Sequence, residues 1–120
     1  MTKRLLVVDD SRFILEEIKH ALKDSAYEII GYAKDGEEAL RLYEELSPDL
    51  VTLDIILPHI EGTEVAKIML KRWPEAKILI VSSLAYDETI DEAKQAGVEH
   101  VLFKPFTKEG LLEKLDLVAN

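Results

Sequence analysis

No cysteine occurs among the 120 residues, which excludes a disulfide framework and any thiolate-bound metal. No apolar run approaches the roughly 20 residues needed to span a bilayer. Met1–Arg4 followed by Leu5–Val8 imitates the start of a secretory signal, but Asp9 and Asp10 end the apolar run far too early. Positive charge is scarce: 15 Lys and Arg stand against 24 Asp and Glu, a formal net charge of −9. That sign opposes nucleic-acid binding, which needs clustered bases to neutralise phosphate. Lys71-Arg72 and Lys104 to Lys108 are small, interrupted groups that read as surface or helix-end charge. The three histidines, His20, His59 and His100, share neither spacing nor partner and read as surface residues rather than ligands. Low-complexity segments and linkers are missing as well. One soluble, cytoplasmic domain over residues 1–120 is therefore expected, with no direct nucleic-acid or membrane partner.

What is present is a hydrophobic fraction of 48%, ample for one core. Five short apolar runs recur at even intervals: Leu5 to Val8, Glu28 to Ala33, Leu50 to Leu53, Ile78 to Val81 and Val101 to Phe103. Between them apolar residues recur at helical spacing. The stripes are Ile14, Ile18, Ala21 and Leu22; Ala39, Leu40, Tyr43 and Leu46; Val65, Ile68, Met69 and Trp73; Ile90, Ala93 and Ala96; and Leu111, Leu112, Leu115 and Val118. Asp35-Gly36 opens the second stripe and Ser47-Pro48 closes it, Pro74 closes the third, Gly97 ends the fourth, and Thr107 suits the N-cap of the last. Strand and helix alternating five times predict an α/β fold, a parallel sheet with helices on both faces.

In such sheets ligands sit beyond the carboxyl ends of the strands. The residues just past the five runs are Asp9-Asp10, Lys34-Asp35, Asp54, Ser82-Ser83 and Lys104-Pro105. Asp54 is the most informative. Leu50-Val51-Thr52-Leu53 reads as a strand buried on both faces, and Pro58 and Gly62 turn the chain soon after the acid. Helix capping does not explain a carboxylate followed by three aliphatic residues and then proline. If the first and third strands are neighbours, Asp9, Asp10 and Asp54 converge. Carboxylates a few ångströms apart repel by about 4 kcal/mol per pair at an effective dielectric near 20, so a proton or a cation must enter the group. Oxygen ligands without histidine or cysteine favour Mg²⁺. Lys104 and Ser82 bring an ammonium and a hydroxyl to the same rim. A carboxylate nucleophile, a divalent ion, a lysine and a hydroxyl are the parts that phosphoryl transfer needs.

Val8-Asp9-Asp10-Ser11, the segment Asp54 to Gly62, Val81-Ser82-Ser83 and Lys104-Pro105-Phe106 together resemble the receiver domain of two-component response regulators. The resemblance runs from Lys3 to the C-terminus and is closest in form to stand-alone receivers of the chemotaxis type. It implies a three-layer, doubly wound (βα)5 fold with strand order 2-1-3-4-5. It implies that Asp54 accepts a phosphoryl group from the phosphohistidine of a sensor histidine kinase or phosphotransfer protein, and that the chain is a phosphoacceptor rather than an enzyme. Asp9, Asp10, Asp54 and the Ile56 backbone carbonyl would hold Mg²⁺, with Mn²⁺ or Ca²⁺ as substitutes; Asp10 would bind directly and Asp9 largely through water. Lys104 would pair with Asp54 and then with the phosphoryl oxygens. Ser82 would hydrogen-bond the phosphoryl group, with further contacts from Ser83 and the Ile56 backbone. The Lys104–Pro105 bond is expected to be cis. The kinase would dock around Arg12, Phe13 and Ile14. Output would pass to a downstream protein target through the fourth helix, fifth strand and fifth helix, in a monomer or a phosphorylation-dependent dimer, with no output domain attached.

Two departures from the family pattern carry expectations. Val101 stands where many relatives have an aromatic ring that swings inward, and valine is stiff about χ1. Switching is then expected to rest on the loop after Ser82 and on the thinly striped fourth helix. Ile56 and Leu84 are apolar where many relatives are polar, which predicts slow loss of the phosphoryl group. Other readings fare worse. A phosphatase of the haloacid dehalogenase type needs a second acid that Asp54-Ile55-Ile56 lacks. The two acids after the first strand would repel a flavin phosphate. The alternatives that stay open are an unphosphorylated interaction module and the excised N-terminal receiver of a longer transcriptional regulator.

Overall fold

The computed structural model describes residues 2–83 and 88–120, apart from the side chain of Thr89. Its elements alternate without exception: β1 Lys3–Val8, α1 Arg12–Leu22, β2 Tyr27–Ala33, α2 Gly36–Leu46, β3 Leu50–Leu53, α3 Gly62–Arg72, β4 Ile78–Ser82, α4 Glu88–Ala96, β5 His100–Phe103 and α5 Lys108–Ala119. The five strands form one sheet in the order β2-β1-β3-β4-β5, and every pairing is parallel. The fold is thus the flavodoxin-like α/β architecture with strand order 2-1-3-4-5. Each apolar run of the sequence is a strand. Four of the strands run one or two residues further than the apolar pattern, because the ladder is made by the backbone and includes Lys3, Tyr27, Ser82 and His100 whatever their side chains.

Two apolar layers cover the sheet. Alternate residues of each strand point to opposite faces, so Leu6, Val8, Val51, Leu53 and Ile80 meet Ala39 and Leu40 of α2, Val65, Ala66 and Met69 of α3, and Ile90 and Ala93 of α4. Leu5, Val7, Leu50, Leu79 and Val81 meet Leu15, Ile18, Ala21 and Leu22 of α1 and Leu111, Leu115 and Val118 of α5. The first stripe differs from the sequence pattern. Leu15 is buried, whereas Ile14 is only partly covered. A helix of 3.6 residues per turn buries a stripe wider than one row, and which edge residue goes in depends on how the helix is rolled onto the sheet.

Local signals start the helices. Ser11 Oγ accepts from the Ile14 N–H at 3.3 Å, and Thr107 Oγ1 accepts from the Gly110 N–H at 3.0 Å, as N-caps do. Asp35 caps α2 through the Glu38 N–H at 2.9 Å, while the Glu38 carboxylate accepts from the Lys34 N–H at 3.0 Å. The α4 stripe is as thin as the sequence suggests, with Ile90 and Ala93 buried among its described side chains. The segment 84–87, to which the loop-movement expectation and Leu84 belong, lies outside the described residues.

Candidate functional site

The carboxyl edge of the sheet collects the chemistry because the ladder carries each strand to the same level. The Asp54 N–H donates to the Val8 carbonyl at 3.0 Å, the Asp9 N–H to the Ala33 carbonyl at 3.0 Å, and the Lys104 N–H to the Ser82 carbonyl at 2.8 Å. The parallel strands therefore end at one level, which brings Asp9 and Asp10 after β1, Asp54 after β3 and Lys104 after β5 to one basin. β1 lies directly beside β3, with Val8 opposite Leu53, which places Asp9 and Asp10 against Asp54.

The convergence is close. Carboxylate oxygens of Asp9, Asp10 and Asp54 all lie within 4.8 Å of one another. Asp9 and Asp54 are buried, at 2% and 7% exposure, and Asp10 is exposed. The Lys104 ammonium donates to Asp9 Oδ2 at 2.8 Å and to Asp54 Oδ2 at 3.3 Å. Asp9 is the nearer partner, whereas the sequence pointed to Asp54. Asp9 Oδ1 accepts from the Ser11 N–H at 2.9 Å, so this one acid both anchors the lysine and holds the entry to α1. The Asp54 carboxylate also takes the Ile56 N–H at 3.3 Å.

Three acids and one ammonium do not balance. Burial pushes the Asp54 carboxyl above its ordinary range; the Lys104 charge opposes this and the Asp9 charge adds to it. Burial alone would lower the Lys104 ammonium. Its bond to Asp9 and the charges of Asp54 and Asp9 outweigh that and hold it above its usual value. The pocket thus has negative charge to spare after its own lysine is counted. Clustered carboxylate oxygens with one open, water-facing member are the donor set that a hard divalent cation takes, and the residues present fit Mg²⁺.

Ser82 is fully buried at the end of β4, and Ser83 beside it is exposed. The Ile56 side chain is 55% exposed next to Asp54. The Lys104–Pro105 peptide is cis. Phe13, at the kinase-docking position expected on α1, is 71% exposed.

Two site residues escaped the sequence reading. The Gly62 N–H donates to the Ile55 carbonyl at 2.7 Å, and a Cβ at Gly62 would sit 2.7 Å from the Ile55 Cα. A side chain there would displace the backbone that carries Asp54. The sequence offered Gly62 only as a turn signal. Tyr32 in β2 has a buried hydroxyl with no hydrogen-bond partner among the described residues. Burial, and next the Asp9 charge, raise its pKa. An aromatic residue in a strand carried no signal of this.

Comparison with known proteins decides the family. Residues 5–116 match the model of the response regulator receiver domain. The chain belongs to the response regulator receiver family. This receiver is 37% identical over 120 residues to the chemotaxis protein CheY of Thermotoga maritima, covering all of both chains. It superposes on the CheY-like response regulator receiver domain protein of Methanospirillum hungatei with a TM-score of 0.90 at 33% identity, covering 99% of this chain and 94% of that one. The structure of the CheX–CheY–BeF3–Mg²⁺ complex from Borrelia burgdorferi gives a TM-score of 0.91 at 26% identity, over 97% and 88% of the two chains. The receiver is therefore a CheY-like signalling phosphoacceptor with an acidic pocket formed by Asp9, Asp10 and Asp54. No helix among its described residues is long and apolar enough to cross a membrane.

Proposed function

We propose that this receiver is a phosphorylation-dependent switch whose nucleophile is Asp54. One observation carries the reading: a buried carboxylate at a strand end shares a lysine and a basin with two further acids from a neighbouring strand. An Asp54 carboxylate oxygen attacks the phosphorus of a phosphohistidine on a sensor kinase or phosphotransfer protein. The P–N bond breaks, the imidazole keeps the electron pair, and an acyl phosphate remains on Asp54. Asp9, Asp10, Asp54 and the Ile56 carbonyl would hold Mg²⁺, which supplies charge neutralisation for the phosphoryl oxygens when bound. Lys104 lies within reach of the Asp54 carboxylate and passes its charge to the phosphoryl group. The Ser82 hydroxyl, with Ser83 and the Ile56 backbone, binds the remaining phosphoryl oxygens. Output follows from a two-state equilibrium biased by these contacts and read by a protein partner at the α4-β5-α5 face, where Phe103 is 44% exposed. The partners are a histidine kinase and a downstream protein, and the setting is the cytoplasm.

Incubation with acetyl phosphate and Mg²⁺ tests this. Intact-mass measurement should show one base-labile phosphoryl group, lost in Asp54→Asn. An unmodified wild-type chain, or an Asp54→Asn chain that gains the same label, would refute it. The first of those results would favour the scaffold reading, in which the domain acts by contact alone.

A further inference from the structure

At the opposite end of the sheet from Asp54 lies a second concavity with a different character. It is a cleft of about 560 Å³ beneath the start of β1, between the C-terminal ends of α2 and α3. β1 is six residues long, so about 20 Å of strand separates this cleft from the acidic pocket. Its wall carries an aromatic pair: the Tyr43 and Trp73 rings lie 4.4 Å apart and tilted by 31°. Its rim carries three cations, Lys3, Arg72 and Lys77, against the acids Asp49 and Glu75.

The cations are the unusual part. The chain has nine more acids than bases, yet neither Lys3 nor Arg72 has an ion-pair partner among the described residues. The Lys77 ammonium donates to the Ala119 carbonyl at 2.8 Å and has no ion-pair partner among the described residues. Asp49 is partly engaged already, accepting from the Arg4 N–H at 2.8 Å. Arg72 complements the dipole of α3 from that helix's last turn. Lys77 likewise serves the C-terminal end of α5 through the Ala119 carbonyl, whereas Lys3, in β1, serves no helix end. The Arg4 guanidinium covers the α2 carbonyls of Leu46 and Ser47 at 2.7 and 2.8 Å, which removes the carbonyl charge that would repel an anion there.

We infer that this cleft is a binding site for a planar aromatic anion of the nucleotide class. The half-buried rings offer a stacking surface, and the three cations among the lining residues offer charge to a polyphosphate. The volume falls within the range of small-molecule sites and is too small for a folded partner. The site is separate from the phosphoryl chemistry of Asp54 and does not depend on it.

Trp73 is the only tryptophan, so its fluorescence reports on the cleft directly. Titrating the full chain with ATP in the absence of divalent cations should give a saturable change in Trp73 emission, confirmed by calorimetry. Adenosine and inorganic tripolyphosphate, each carrying half of the chemistry, should bind more weakly than ATP. The pair Lys3→Ala and Arg72→Ala should weaken ATP by about tenfold, since each exposed charge pair is worth under one decade. Glu75→Gln, which adds no bulk, should tighten it. Circular dichroism checks that each variant is folded. An absence of saturation in the millimolar range would overturn the site. So would tripolyphosphate binding as tightly as ATP, a double variant with wild-type affinity, or a Glu75→Gln affinity that does not improve.

Discussion

Gly62 presses its backbone onto Ile55, the residue after the acid: its N–H reaches the Ile55 carbonyl at 2.7 Å, and a Cβ would fall 2.7 Å from the Ile55 Cα. Both residues are buried. The start of α3 is therefore a mould for the loop that carries Asp54, and only a residue without a side chain fits.

Replacing Gly62 by Ala should force the two backbones apart. Overpacking of this kind costs about 1–3 kcal/mol, because rigid main chain stands on both sides of the clash. Denaturant unfolding should show that loss, and phosphorylation by acetyl phosphate should slow in the folded fraction. Wild-type stability and wild-type labelling together would show that the loop accommodates the methyl.

Thr52 sits in the middle of β3 with its hydroxyl buried and without a hydrogen-bond partner among the described residues. An unsatisfied buried hydroxyl costs about 1–3 kcal/mol of desolvation that nothing returns. Thr52→Val keeps the branched shape that suits a strand and removes the orphan. The variant should be more stable by about 1 kcal/mol in chemical unfolding. A destabilised Thr52→Val would mean that the hydroxyl is satisfied in solution.

Ile56 leaves 55% of its surface exposed two residues beyond Asp54. It offers neither donor nor acceptor to a water approaching an acyl phosphate. Ile56→Asn should orient that water; one net hydrogen bond is worth about 1 kcal/mol, or about fivefold in rate. Decay of the phosphorylated chain, followed by mass or by a labile-phosphate assay, gives the answer. An unchanged half-life would separate phosphoryl loss from the polarity of this side chain. Leu84, the other apolar residue named for this role, lies outside the described residues.

Tyr27 ties the edge strand β2 to α5 through a hydrogen bond from its hydroxyl to Asp116. Burial first, then that bond and the Asp116 charge, push its pKa well above the usual value near 10. A group raised on folding contributes stability below its unfolded pKa and loses it as pH climbs beyond that value. The wild type should therefore lose stability above about pH 10, as unfolded chains ionise a tyrosine that folded chains keep neutral. Tyr27→Phe should be weaker at neutral pH by about 1.5–3 kcal/mol, the range for a hydrogen bond to a charged acceptor, and should show a shallower alkaline decline. Parallel pH slopes for the two proteins would remove Tyr27 from the account.

Much of this was legible before any coordinates. Buried strands of a parallel sheet leave uninterrupted apolar runs, so Leu50 to Leu53 could be read directly. An acid at the end of such a run announces itself, because burial makes a charge costly unless something employs it. Asp54 emerged for that reason, and Asp9, Asp10 and Lys104 because ligands of such sheets lie just past the strand ends. Asp9 as the closer partner of Lys104 did not emerge, nor did Leu15 in place of Ile14, because both depend on how packed elements are rotated and not on spacing along the chain. The caps Asp35 and Thr107 were visible because a cap is a contact over three residues.

The sequence by itself determined the periods, the ends of the elements and the residue types at those ends, since these follow from local sterics and from which side chains water rejects. Only the tertiary structure decided the contacts between segments far apart in sequence: the bare fit of Gly62 on Ile55, the stranded hydroxyls of Tyr32 and Thr52, and the gathering of Lys3, Arg72, Lys77, Tyr43 and Trp73 around one cleft. Such contacts depend on distances of tenths of an ångström between close-packed elements, and a one-dimensional pattern carries no distances.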